Sequence, residues 1–339
     1  MREMAKSKGS LVFLMVVLSL FIFQTADASS KDTIKWRFFA FTGAVHPITK
    51  YFQGFAADVK EKTKGRLEIT VYPGGELPYK AFDTVKIVSQ RQVELADGYG
   101  GFISGDVPFL GVYSLPFLVT TCDDVQKAVD ATKDLLDEEL GKRDVQILYR
   151  SYWPSQTLWS VKPLASLNDL KGRKWRGKGS EENAFFSKFG AIPMTLATAE
   201  VPTAIQRNVV DGVISAAFNI VGAGWVEMFK YALLIELYQP FDFILMNRSA
   251  FNELPEDIKK ILVETALHHQ KKMTVEVPVG LENEARDKLK KAGYTFYNAS
   301  ENEVAEAQRR MSSYWEEWAK ESGGKAQEAL LKVRKAVKR

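Results

Sequence analysis

NDLKGRKWRGKGSEENAFFSKFGAIPMTLATAEVPTAIQRNVVDGVIS, residues 168–215, contains two strand–helix turns in close succession. Lys174 to Arg176 reads as a short strand that leaves Arg176 at its end. Ser180 stands where a helix cap belongs, and Phe185, Phe186 and Phe189 follow on one face until Gly190 stops the helix. Ala191 to Leu196 is a second strand. Thr198 then caps a helix with Glu200 in its first turn and Pro202 where proline is tolerated. Val209 to Ser215 closes the block as a strand, with Asp211-Gly212 bending it. A guanidinium at a strand end, ahead of helical N–H groups, is a place for a small anion. Spacing alone fits a solvated arginine between Lys174 and Lys178 equally well. Glu200 has no second carboxylate at a spacing suited to acid–base work, so it reads as a helix-dipole residue.

The same alternation extends outward and predicts an α/β fold. Ile34 to Ala40 is a strand, and Pro47 opens a helix with Ile48, Phe52, Phe55 and Val59 inward, stopped by Gly65. Leu67, Ile69 and Val71 form a second strand. Pro73-Gly74-Gly75 then turns the chain into a helix carrying Phe82, Val85 and Val88. Val93 to Asp97 runs into a loop, Gly98-Tyr99-Gly100-Gly101. One helix is expected from Asp123 to Leu140, then strands at Val145–Tyr149 and Leu158–Val161. Phe241 to Met246 is another strand, and its run of apolar residues suggests burial on both faces. Pro255 to Lys291 reads as helix, kinked or ended by Pro278. Two helices finish the chain, one with Val304, Met311, Trp315 and Trp318.

The N-terminus has a different character. Arg2, Lys6 and Lys8 precede the apolar run Leu11–Phe23, and Ala26-Asp27-Ala28 has the form of a cleavage site. The run is short for a membrane anchor, so residues 1–28 read as a signal peptide and the mature protein as exported. The remainder, about 310 residues, is enough for two lobes. Hydrophobic and charged fractions of 46% and 26% are those of a globular protein, and a net charge of +4 is too weak to indicate nucleic acid. One cysteine, Cys122, excludes an internal disulfide, and with only three histidines no zinc cluster is expected. No dinucleotide, Walker A, G-x-S-x-G or H-E-x-x-H motif occurs, so neither a cofactor nor an enzyme activity is expected.

Aromatic residues gather where the chain should reach a cleft: Tyr99, Tyr152, Trp153, Trp159, Trp175, Phe218 and Trp225. At least half of them read as core. Tyr99, flanked by glycines, is the one expected to be free for a ligand. His46, before Pro47, reads either as a ligand donor or as a helix cap.

Several short elements occur together and in order. They are Val45-His46-Pro47, Tyr72-Pro73-Gly74-Gly75-x-Leu77, Leu115-Pro116-Phe117, and Asp169-Leu170-Lys171-Gly172-x-Lys174-x-Arg176. Phe189-Gly190-Ala191-x-Pro193, Glu200-Val201, Gln206, Val210-Asp211-Gly212 and Leu254-Pro255-Glu256-Asp257 follow. In these the chain resembles the DctP-type solute-binding proteins of tripartite ATP-independent periplasmic (TRAP) transporters. The resemblance implies a two-lobed, type II-like periplasmic binding fold, each lobe a mixed sheet flanked by helices, with hinge strands and a long helix spanning both. The lobes are expected at 31–153 plus 242–281 and at 154–241 plus 282–339. It implies a monomeric periplasmic receptor that takes an organic anion to a sodium-driven membrane permease. A receptor that reports to a membrane sensor is the alternative.

Arg176 stands at the family's carboxylate-gripping arginine. Where several relatives carry a second arginine, this chain has Gln156, and where many have asparagine after Val-Asp-Gly it has Ser215. Pro202 replaces a usual aromatic. The expected cleft residues are Arg176, Gln156, Tyr99, Ser215, Trp153, His46, Thr198 and Phe218. With a neutral Gln156, the expected ligand has one strong anionic group, carboxylate or sulfonate, and a neutral or aromatic remainder.

Overall fold

The computed structural model describes residues 33–339; the leader expected at 1–28 lies outside them. Two sheets organise the chain. The first holds β1 (Ile34–Phe39), β2 (Leu67–Tyr72), β3 (Leu95–Tyr99), β4 (Val145–Tyr152) and β10 (Phe241–Asn247), in the order β2-β1-β3-β10-β4. The second holds β5 (Thr157–Ser160), β6 (Lys174–Gly177), β7 (Ile192–Thr195), β8 (Gly212–Ser215), β9 (Tyr231–Leu234) and β11 (Thr295–Asn298), in the order β11-β9-β5-β8-β6-β7. Both are mixed. β1 runs parallel to β2 and β3, whereas β10 is antiparallel to β3 and β4. All seven residues of β10 are buried, as its apolar run predicts.

The chain crosses between the sheets in two extended segments that pair with each other. Trp153 N–H donates to the Pro240 carbonyl, Gln156 N–H to Tyr238, and Leu237 N–H to Gln156, each at 3.1 Å. The connection is thus a hydrogen-bonded ribbon continuing β4–β10 into β5–β9. A third connection is helical. α4 (Glu256–Val275) packs on β4 and on α1 (Pro47–Lys62), a wide π turn spans Glu276–Leu281 around Pro278, and α5 (Glu282–Lys291) packs on α3 (Ala217–Gly222). The missing Pro278 N–H loosens the helix where it leaves one sheet for the other. Glu282 accepts the N–H groups of Ala217 (3.2 Å) and Phe218 (2.8 Å), fixing α5 to the positive end of α3.

Local signals explain most elements. α1 begins at Pro47 with His46 as N-cap, buries Ile48, Phe52, Phe55 and Val59, and ends before Gly65 in the left-handed region at φ 76°. The helix expected over 123–140 is two, Cys122–Ala131 and Lys133–Gly141. Thr132 divides them because its hydroxyl turns back to the Ala128 carbonyl at 2.7 Å. The loop expected at Gly98-Tyr99 is the end of β3. Gly98 pairs against β10, where a Cβ would come within 3.1 Å of the Leu245 side chain. β9 and β11 were not anticipated: each is four residues long, and β11 is only partly buried. The last two helices, α6 (Glu301–Ser322) and α7 (Gly324–Val337), turn at Gly323. Although residues 282–339 were expected to stay with the second lobe, α7 packs against Pro108–Ser114 and Cys122–Ala131. Its Lys332 pairs there with Asp134. The basic face of α7 is therefore partly an interface.

Glycines line the seam where the two halves meet. A Cβ on Gly179, after β6, would lie 2.9 Å from the Gly101 carbonyl oxygen, after β3. A Cβ on Gly222, in α3, would lie 2.8 Å from the His46 ring.

One polar feature lies inside the first sheet. Asp97 and Asp242 are fully buried on neighbouring strands, on one face: Asp97 is registered with Ile244 and Asp242 with Tyr99. Asp242 accepts the Trp153 indole N–H, but neither Asp97 oxygen finds a donor. Two adjacent carboxylates can bond to each other only if one is protonated. Burial, and for Asp97 also the charge of its neighbour, holds both pKa values above the usual carboxylate range. The folded state therefore keeps a proton that the unfolded chain releases near pH ~4, and stability falls as pH rises from there through neutrality. Asp242→Asn is expected to flatten that fall, raising the melting temperature more at pH 8 than at pH 5; an equal shift at both would contradict the shared proton. Gly222→Ala is expected to prop the seam apart, giving a larger radius of gyration by X-ray scattering and weaker ligand binding with the fold retained.

Candidate ligand-binding cleft

Arg176 lies on β6, registered between Met194 of β7 and Val213 of β8, and is 1% exposed. The solvated-arginine reading is thereby excluded. Its Nε donates to the Leu196 carbonyl at 2.8 Å, its Nη2 is buried without a partner, and no protein carboxylate pairs with it among the described residues. Burial presses its pKa down, and the charge of Glu182 works against that. An unpaired buried cation costs several kcal/mol, so the position favours an anion strongly.

Lys178, two residues on, is also buried but is fully engaged. Its ammonium meets Glu182 Oε1 at 2.7 Å, Gln156 Oε1 at 2.9 Å and the Tyr238 hydroxyl at 3.2 Å. It also lies 5.5 and 5.8 Å from the ring centroids of Tyr99 and Tyr238. Burial lowers its pKa to about 8, opposed by Glu182, so it remains a cation at neutral pH. Glu182 also accepts the Lys178 backbone N–H at 2.5 Å and the Tyr238 hydroxyl.

These contacts correct three expectations. The N-terminus of α2 (Ser180–Lys188) is occupied by its own acids, not open to a ligand. Its N-cap is Gly179, and the Ser180 hydroxyl bonds to Glu181 at 3.0 Å. Gln156 is not a free amide: its Oε1 takes Lys178 and its Nε2 donates to the Pro154 carbonyl at 3.0 Å. Tyr99, the last residue of β3, is held across the seam by a 2.6 Å hydrogen bond to Tyr238.

The facing wall is aromatic. Trp153 stacks on Phe41 at 6.1 Å, and His46 lies 5.5 Å from Trp153 and 5.4 Å from Phe218. His46 is both cap and wall. Its Nδ1 accepts the Ile48 N–H at 3.2 Å, so the neutral ring carries its proton on Nε2. Burial takes its pKa down to about 4, which the Asn219 side chain opposes, and Nε2 is buried with no geometrically satisfactory partner. The Ser215 hydroxyl accepts from Asn219 at 3.0 Å. Trp159, Trp175 and Trp225 are core.

Thr198 is half-buried, and its hydroxyl makes no hydrogen bond among the described residues; the residue before it, Ala197, is the N-cap, held by Glu200 at 2.7 Å. The structure thus brings Arg176, Gln156 and Tyr99 around the Lys178–Glu182 pair, and Trp153, His46, Phe218 and Ser215 around the aromatic wall, but ties Thr198 to neither. Lys178, Glu182, Tyr238 and Asn219 were missed. Lys178 repeats Arg176 at strand period two and stands four residues before Glu182, a signal present in the sequence. Tyr238 lies in the crossing ribbon and carries no local signal.

No group of three or more His, Cys, Asp or Glu suited to a metal occurs among the described residues, and no helix among them is long and apolar enough to cross a membrane. Residues 39–321 match the family model DctP, bacterial extracellular solute-binding protein, family 7. A solute-binding protein of Sulfitobacter is 27% identical over 223 residues, 65% of this chain and 67% of the relative. The C4-dicarboxylate-binding periplasmic protein DctP of Rhodobacter capsulatus is 25% identical over 286 residues, 82% of each chain. Among solved structures, DctP7 of Bordetella pertussis, an extracytoplasmic solute receptor binding pyroglutamic acid, superposes with a TM-score of 0.82 at 25% identity. That match covers 89% of this chain and 100% of the other. With an α/β fold of two mixed sheets and a match that spans most of its length, the chain belongs to the DctP family of TRAP-type extracellular solute-binding proteins.

Proposed function

We propose that this protein is a periplasmic receptor that closes around a small organic anion bearing one strongly charged group and delivers it to a TRAP membrane permease. The observation that carries the reading is Arg176, a buried guanidinium with an unpartnered Nη2 and no protein counter-ion. A carboxylate or sulfonate there completes charge-assisted hydrogen bonds in a site already stripped of water. His46 Nε2–H and the Ser215–Asn219 pair supply neutral hydrogen bonding to the rest of the ligand. Trp153, Phe41 and Phe218 offer flat apolar surface to a ring or short chain. Pyroglutamic acid, bound by the Bordetella relative, is a ligand of this description.

No nucleophile paired with a base is needed for such a role; binding and hinge closure suffice. Arg176→Ala is expected to weaken binding by about 2–5 kcal/mol in calorimetry while the unfolding transition stays cooperative. Unchanged affinity would remove Arg176 from the site. A thermal-shift screen of carboxylates, sulfonates and keto acids identifies the ligand class, since a ligand of the folded state raises the melting temperature. Monoanions are expected to bind more tightly than succinate, and the reverse order would overturn the single-charge reading.

A further inference from the structure

The cleft holds two buried cations, Arg176 and Lys178, yet only one is unpartnered. The difference is Glu182, 1% exposed, in the first turn of α2. One of its oxygens takes the Lys178 ammonium at 2.7 Å and the other takes the Lys178 backbone N–H at 2.5 Å. The same carboxylate receives the Tyr238 hydroxyl and lies 3.4 Å from that of Tyr99. It is also the strongest charge acting on Arg176. We infer that Glu182 is the specificity-determining residue that restricts the cleft to monoanions, by cancelling Lys178. This rests on the receptor reading given above and deepens it.

The charge count is direct. Arg176 and Lys178 contribute two positive charges, and Glu182 removes one. Glu200 is exposed, bonds to Ala197 and lies 4.0 Å from Lys80 at the rim. The Asp97–Asp242 pair, which shares one proton and so holds one negative charge, acts on Lys178 from the other sheet and reinforces Glu182. One anionic group on the ligand pairs with Arg176; a second would lie unpaired and desolvated, the costly arrangement in a buried site. Rejection by a built-in like charge is a familiar route to specificity. The same carboxylate keeps Gln156 and the two tyrosines in one hydrogen-bonded group, so the cancelled cation cannot swing to a second carboxylate without breaking several bonds.

The chemical content is that Glu182→Gln, which preserves shape and most hydrogen bonding, frees the charge of Lys178 for a ligand. Calorimetry on the full mature protein with pyroglutamate and succinamate as monoanions, and succinate and glutarate as dianions, tests this. Glu182→Gln is expected to shift the dianion-to-monoanion affinity ratio towards dianions by about tenfold or more. The double variant Glu182→Gln with Lys178→Met returns the cleft to its wild-type net charge and is expected to restore the wild-type ratio. It also removes the buried pair as a unit, so it remains informative if the single variant folds poorly. A ratio unchanged in Glu182→Gln, or left shifted in the double variant, overturns the inference while monoanion binding lost in Arg176→Ala leaves the receptor reading standing. If neither wild type nor Arg176→Ala binds any anion, the receptor reading fails, and this inference with it.

Discussion

A guanidinium buried without a protein counter-ion is the constraint around which the rest of this molecule is arranged. Arg176 is carried by a strand flanked on both sides, its one protein bond goes to a backbone carbonyl, and the walls around it exclude water. Protein interiors tolerate such a charge only when something repays its lost hydration. Lys178 shows what happens where the protein does so itself. It has a carboxylate, an amide oxygen and a phenol within reach, and its pKa falls because burial still outweighs them. Two cations two residues apart thus differ: one is neutralised by the protein, the other has no protein counter-ion among the described residues.

The architecture explains how these cations and the aromatic wall come to share one seam. The paired crossing segments and the helix loosened at Pro278 give the two sheets three connections, each of limited freedom. Residues from the first sheet, Tyr99 and Trp153, are set at or just past strand ends that point to the seam. His46 is set by its role as the cap of α1. Because Trp153 also donates to Asp242, the aromatic wall is tied to the buried acid pair beneath it.

Much of this was legible in the residues. Pro47 with Ile48, Phe52, Phe55 and Val59 fixed a helix, and the apolar run of β10 fixed a central strand, because burial patterns of that length admit few alternatives. Arg176 was marked as a site candidate from its place at a strand end, and the structure buries it there. What escaped were features decided by contacts between distant segments. Tyr99 was assigned to a loop because its glycines suggest one, but pairing with β10 keeps it in a strand. Gln156, expected as a neutral partner because it stands where relatives carry a second arginine, is engaged by Lys178 and the Pro154 carbonyl, a pairing that the local sequence does not announce. Ser180 and Thr198 look like caps in sequence; Gly179 and Ala197 stand at those positions in space, with Glu182 and Glu200 supplying the acceptors. In each case a carboxylate three or four residues downstream accepts the N–H at or just before the N-cap, so the helix start is fixed without a capping hydroxyl.

The glycines of the seam have a consequence for how the halves meet. Where Gly179 meets the Gly101 carbonyl and Gly222 meets the His46 ring, the halves touch through backbone and a fixed ring, with no compliant side chain between them. At these two points the halves cannot approach further without overlap of backbone or ring, so the seam resists compression there just as the Tyr99–Tyr238 bond resists separation.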